Sequence, residues 1–122
     1  MLKFANGKVL ETAVGTSRNL GYYSYDCEVT GVDYSPNALE IALTKTSTTN
    51  ITYKLEDMDT LSFKDSTFDT VVDTFGLEYN MNPRKALEEM RRVCKNDGLI
   101  LLLNQGAPDS KWMQYYYRFY LY

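Results

Sequence analysis

Two carboxylates, Glu11 and Asp33, and the run of small residues after the first, hold the chemistry that this sequence makes legible. Val9-Leu10-Glu11-Thr12 reads as the end of a buried strand. Ala13-Val14-Gly15-Thr16-Ser17 follows as a tight turn, and Arg18-Asn19 opens what reads as a helix. Val29-Thr30-Gly31-Val32-Asp33 is a second strand that ends in an acid. In an open α/β sheet, an acid about 20 residues beyond such a turn is placed to bind the ribose of a nucleoside-containing cofactor. An ionised carboxylate suits that task because it accepts hydrogen bonds from both ribose hydroxyls. The plainer alternatives are a generic strand-to-helix turn at Glu11–Ser17 and, for Asp33, an acid that caps the helix opening at Ser35-Pro36.

The elements that must position these residues alternate between strand and helix, the mark of a parallel α/β sheet. Strands are expected at Lys8–Thr12, Glu28–Asp33, Ile51–Glu56, Phe68–Thr74 and Gly98–Asn104. The first helix is expected to start at Thr16 or Ser17, either of which can cap it, and to end before Asp26. Ser35-Pro36 and Asn82-Pro83 each put a cap ahead of a first-turn proline, a strong helix start. The first of these helices is expected to bury Leu39, Ala42 and Leu43, with Ala38 and Ile41 alongside. The second turns Ala86, Leu87, Met90, Val93 and Cys94 to the sheet. It turns Arg84, Lys85, Glu88, Glu89, Arg91 and Arg92 to water, with Glu88 and Arg92 as an i, i+4 pair. Asp57–Thr67 reads as turn-rich, anchored by Leu61 and Phe63, and Asn96-Asp97-Gly98 as a turn. Leu99–Leu103 is apolar on both faces, which fits a strand covered on both sides.

At 122 residues the chain is one domain, 1–122. A net charge of −3 provides no basic field to gather nucleic acid. No apolar run reaches membrane-spanning length, and no secretory or transit signal is visible. The two cysteines, Cys27 and Cys94, lie on elements that need not meet, so a reducing compartment is the simpler reading. The chain has no histidine. That removes the commonest general base, the commonest metal ligand and every Ser-His or Cys-His pair, and no metal site is expected. Residues 112–122 are dense in aromatics, with Trp112, Tyr115, Tyr116, Tyr117, Phe119, Tyr120 and Tyr122. A helix packed on a further part of the domain is the first reading of this tail. A membrane or protein contact is the second.

Taken in order, Val9–Ser17, Val32-Asp33-Tyr34-Ser35, Glu56-Asp57-Met58-Asp59 with Leu61-Ser62-Phe63 and Ser66-Thr67-Phe68-Asp69, Pro83–Val93 and Lys95-Asn96-Asp97-Gly98 resemble the motifs of the class I S-adenosylmethionine-dependent methyltransferases. The type with a ubiquinone-biosynthesis-like core is the nearest in pattern. The resemblance covers Lys8 to Asn104. It implies a Rossmann-like α/β fold, a parallel sheet of about five strands in the order 3-2-1-4-5 flanked by helices. The two further strands and the leading helix of the family's core are not in the sequence, which reads as an incomplete core.

The resemblance also implies roles. S-adenosylmethionine is the cofactor. The backbone of Ala13 to Gly15 would run beneath its methionine part, and Glu11 would brace the turn and help hold the methionyl amine. Asp33 would take the ribose, and Tyr34 would flank the adenine. Asp57 and the Met58 amide would read the adenine ring. Asp57 has a plainer alternative as a solvated turn acid. Thr74, Phe75 and Gly76 follow strand four, where methyl group and acceptor should meet. No catalytic residue is named by this pattern. The reaction implied is methyl transfer to a small-molecule or lipid-like acceptor by in-line displacement. A cytoplasmic location is the default, with a mitochondrial one as the alternative.

The sequence departs from the family's glycine-x-glycine-x-glycine turn at Ala13 and Ser17, and has Asn96 where a proline is common. Alanine is a mild change at position 13 if the backbone there has negative φ. These departures, the short chain and the aromatic tail support an alternative: a non-catalytic methyltransferase-like subunit of a larger assembly. A dinucleotide dehydrogenase fits less well, because the third fingerprint glycine is missing and Arg18 follows.

Overall fold

The computed structural model describes residues 1–104 of the chain. Strands β1 (Lys8–Thr12), β2 (Glu28–Asp33), β3 (Asn50–Leu55), β4 (Phe68–Thr74) and β5 (Cys94–Leu103) form one sheet, with helices α1 (Pro36–Leu43) and α2 (Pro83–Val93). The sheet order is β3-β2-β1-β4-β5 and every pairing is parallel, as expected. This order puts β1, flanked by β2 and β4, at the centre, and all carboxyl ends at one edge. Ligands of open α/β sheets bind at that edge, where the strand order reverses.

The strands alternate side chains between two cores. Leu10, Val32, Val71, Ile100 and Leu102 pack on one face with Ala86, Leu87, Met90 and Val93 of α2. Val9, Val29, Val72 and Leu101 pack on the other with Ala5, Tyr23 and Cys27. Leu61 is buried, and Phe63 stands edge-on to Phe68 at 4.9 Å, so both anchors of the Asp57–Thr67 segment are where expected.

Both proline-led helix starts form as read. Ser35 accepts from the Ala38 amide and Asn82 from the Lys85 amide, each at 3.3 Å. On α1, Leu39 and Ala42 are buried, but Leu43 and Ile41 are exposed, which corrects the expected stripe. The helix is only eight residues long and packs on the edge strand β3 and its neighbour β2, so its buried stripe is narrow. On α2 the ion pairs are Arg84–Glu88 at 3.2 Å and Arg92–Glu89 at 2.7 Å. Arg92 turns to Glu89 because its guanidinium also reaches the carbonyls of Leu61 and Phe63 and the Asp65 carboxylate. Glu88 is therefore left to Arg84.

Three further readings are corrected. The helix expected from Thr16 or Ser17 is a series of turns ending in one 3₁₀ turn, Leu20–Tyr22. Ser17 has φ +65°, which a right-handed helix cannot continue, and its hydroxyl accepts from Tyr53 at 2.7 Å instead of capping. β3 begins and ends one residue earlier than read. Asn96-Asp97-Gly98 is not a turn before the last strand but a bulge within it: Phe68 pairs with Cys94 and Thr70 with Leu99. The bulge folds over Asp69, whose carboxylate receives Lys95 Nζ and the Lys8 amide, both at 2.8 Å. A Cβ on Gly98 would come within 2.7 Å of the Asp69 carbonyl, so the fold needs glycine there. The aromatic run 112–122 lies outside the described residues.

Candidate functional site at the carboxyl edge

The turn after β1 sets the geometry. Ala13 (φ +49°), Gly15 (+56°) and Ser17 (+65°) all lie in the left-handed region, one at each position of the glycine-x-glycine-x-glycine pattern. Glycine adopts this conformation freely, whereas an L-residue there costs about 1–2 kcal/mol. The expectation that alanine is mild at position 13 rested on negative φ, and the positive value overturns it. The strain is held from outside the turn. The Val14 amide donates to the Val32 carbonyl at 3.0 Å, and the Gly15 amide donates to Asp33 Oδ2 at 2.8 Å.

Asp33 is 8% exposed, at the tip of β2. Its second oxygen, Oδ1, accepts from the Ser35 amide at 2.9 Å. The carboxylate thus ties the β1 turn to the start of α1 while lining a cavity of about 600 Å³. That size is typical of small-molecule sites. The cavity brings together Ala13, Asp33, Tyr34, Asp57, Met58 and Thr74. Tyr34 is an exposed wall, and Met58 is buried behind. Asp57 accepts from the Asp59 amide at 2.9 Å, which closes its own turn.

Two expected site residues do not line the cavity. Gly15 acts through its amide on Asp33. Glu11 is 2% exposed, on the sheet face that carries Tyr23. Tyr23 OH donates to Glu11 Oε2 at 2.6 Å, and Asn19 Nδ2 donates to Oε1 at 2.7 Å. Burial pushes the Glu11 carboxyl up to about 7, against the lowering effect of both hydrogen bonds. Asp73, fully buried at the end of β4, is likewise raised by burial to about 6 while Thr12 Oγ1 and the Leu77 amide donate to it. Asp69 sits at the opposite end of β4, held low by Lys95, so Asp69 and Asp73 form no carboxylate pair.

The sequence reading missed several wall residues. Glu56 lines the cavity; Ser62 Oγ donates to its Oε1, and its buried Oε2 has no partner among the described residues. Tyr79 and Met81 are further exposed apolar groups around the mouth, while Phe75 and Gly76, expected just past strand four, line the cavity beside them. Phe75 has φ +64°, so the exit from β4 is strained like the exit from β1. Apolar residues exposed just beyond a strand end were the available signal.

A family model described as a methyltransferase domain matches residues 10–102. The chain belongs to this methyltransferase family. Its sheet order and its S-adenosylmethionine-type motifs are those of the class I branch. Among relatives, it is 38% identical over 108 residues to the phosphatidylethanolamine N-methyltransferase of Cereibacter sphaeroides, covering 85% of this chain and 53% of that protein. It is 28% identical over 123 residues to the ubiquinone/menaquinone biosynthesis C-methyltransferase UbiE of Citrifermentans bemidjiense, covering 94% of this chain and 52% of that one. Among solved structures, the YcgJ protein of Bacillus subtilis superposes with a TM-score of 0.78 at 26% identity, covering 92% of this chain and 50% of that one. This methyltransferase chain spans about half the length of the curated relatives it matches.

Proposed function

We propose that this chain binds S-adenosylmethionine in the cavity at the carboxyl edge and forms the cofactor-binding core of a methyltransferase. One observation carries the reading: the Asp33 carboxylate, on the cavity wall, is fixed by the Gly15 and Ser35 amides. Each oxygen then has accepting capacity left for one ribose hydroxyl. No side-chain motion is needed, so little entropy is lost on binding. Tyr34 stacks on the adenine, and Met58 backs it. Asp57 takes the adenine amino group, with the unpartnered Glu56 Oε2 as a second acceptor beside it. These acceptors and walls fit an adenosine group.

S-adenosylmethionine, when bound, supplies a methyl group made electrophilic by its sulfonium. The protein's task is to align the acceptor and exclude water. Phe75, Tyr79 and Met81 offer an apolar rim for the second purpose. With no histidine, base assistance has to come from carboxylates, tyrosines or lysines. This favours acceptors that need little of it. A small-molecule or lipid-like acceptor accords with that rim and with the names of the two relatives.

The test is calorimetric titration of the purified protein with S-adenosylmethionine and S-adenosylhomocysteine, beside Tyr34→Ala. Tyr34 is 80% exposed, so its loss leaves the core intact. Micromolar binding is expected, weakened about fivefold or more in the variant through lost stacking. No binding by the folded wild type would leave the non-catalytic subunit as the reading.

A further inference from the structure

Asp73, at the end of β4, is fully buried and plays no part in the function proposed above. Among the described residues no lysine or arginine pairs with it. A carboxyl group buried without a cation costs more than an apolar residue of similar size, and burial raises this one to about 6. Its two oxygens join segments that are far apart in the chain. Oδ1 accepts from Thr12 Oγ1, at the end of β1, at 2.8 Å. Oδ2 accepts from the Leu77 amide at 3.0 Å, in the 3₁₀ turn Leu77–Tyr79. The Leu77 side chain is itself buried in the core, so this amide lies away from water. The rest of the segment hangs from that point. The Tyr79 and Asn80 amides donate back to the Gly76 and Leu77 carbonyls, and the Phe75 amide donates to the Leu103 carbonyl. On the far side, Asn80 Nδ2 donates to Asp59 Oδ1 at 2.8 Å. Phe75, Tyr79 and Met81 of this segment form the apolar rim of the cavity.

Resting on the reading of the cavity as an S-adenosylmethionine site, we infer that Asp73 is a positioning residue for the acceptor side: it latches the rim segment 75–81 to the end of β1 and so sets where Phe75, Tyr79 and Met81 stand at the mouth. The cofactor side does not depend on this latch. The turn after β1 is held from β2, by the Val32 carbonyl and the Asp33 carboxylate. What the latch needs is an oxygen that accepts from Leu77, not a charge. The ionised and the protonated carboxyl both keep one, and so does an amide in the same place. The nitrogen of that amide then donates to Thr12 Oγ1, whose own hydrogen turns to the Val72 carbonyl at 3.3 Å.

The test is amide hydrogen exchange read by mass spectrometry on the full chain, beside titration with S-adenosylhomocysteine, for Asp73→Ala and Asp73→Asn. Asp73→Ala is expected to speed exchange over 75–81 about tenfold or more, leave the strand β1 and its turn protected, and change S-adenosylhomocysteine affinity by less than about twofold. Asp73→Asn is expected to match the wild type in both measurements. Circular dichroism is recorded on each variant. Should Asp73→Ala not fold, Thr12→Val carries the comparison, because it frees Oδ1 while keeping the side-chain volume; a smaller rise in exchange, again confined to 75–81, is expected. Unchanged exchange over 75–81 in the folded variant, or a rise spread evenly over the sheet, overturns the latch and leaves the cofactor site standing. So does an Asp73→Asn protein that exchanges like Asp73→Ala, which would make the charge the requirement. Affinity for S-adenosylhomocysteine lost together with the protection of 75–81 would assign Asp73 to the cofactor side and overturn its role for the acceptor. A folded wild type that binds no S-adenosylhomocysteine overturns the reading of the cavity, and the acceptor role with it, whatever the exchange shows.

Discussion

Ala13 and Gly76 occupy each other's space at the carboxyl edge: a Cβ on Gly76 would overlap the Ala13 methyl and come within 2.5 Å of Asp73 Oδ1. The alanine after β1 is therefore accommodated by a glycine after β4, on the wall of the same cavity. Gly76→Ala is expected to destabilise by about 1–3 kcal/mol through overpacking. Ala13→Gly in the same chain should restore part of that loss, since Asp73 still opposes the new methyl. Urea unfolding of the two single variants and the double variant measures the coupling. Strict additivity would show that the two positions do not meet.

Ala13→Gly alone removes an L-residue from the left-handed region. It is expected to raise stability by roughly 1 kcal/mol, read as a higher urea midpoint at unchanged slope. A lower midpoint would mean that the methyl's packing outweighs its backbone strain.

Asp33→Ala deprives two backbone donors of their acceptor and, on the proposed function, the ribose of its partner. The expected outcome is a stability loss of about 1–3 kcal/mol together with cofactor affinity reduced at least tenfold. Asp57→Ala opens only its own turn and should lower affinity with little change in stability. Thermal melts beside titrations separate the two effects, and unchanged affinity in both variants would remove the adenosine site.

Glu11 and Asp73 make folding pH-dependent. Burial raises Glu11 from 4.5 to about 7 and Asp73 from 3.8 to about 6. The native state therefore holds these protons over a range in which the unfolded chain has released them. The contribution to stability is complete below about pH 4 and is lost as pH rises to about 7. Glu11→Gln should flatten the fall between pH 5 and 7 relative to wild type, followed by urea midpoints across that range. An identical slope in the variant would place the titration elsewhere.

Leu87 on α2 is 2% exposed among Leu10, Val71 and Ile100. Leu87→Ala should cost about 2–5 kcal/mol, the usual range for a buried leucine that leaves a cavity. Leu43→Ala on α1, where the side chain is 69% exposed, should change stability by less than about 0.5 kcal/mol. Chemical denaturation of both variants checks the contrast.

Most of the elements of this fold were legible in local pattern. The five strands follow from apolar runs bounded by turn residues, and α1 and α2 from Ser35-Pro36 and Asn82-Pro83, because capping and proline geometry act within a few residues. The acid at the tip of β2 was legible for the same reason, and with it the edge at which the cavity opens. Which partner each of these groups takes was settled by packing between distant parts of the chain. Ser17 was a good cap until Tyr53 of β3 claimed its hydroxyl. Leu43 had the right spacing but no sheet beneath it. Asn96-Asp97-Gly98 had turn chemistry, yet the Asp69 carboxylate and Lys95 drew it into a bulge. Glu11, legible as an acid beside the turn, was withdrawn from the cavity because β1 points it at Tyr23 and Asn19. Strand alternation fixes which face a side chain takes, but the residue waiting on that face comes from another part of the chain, and no local pattern names it.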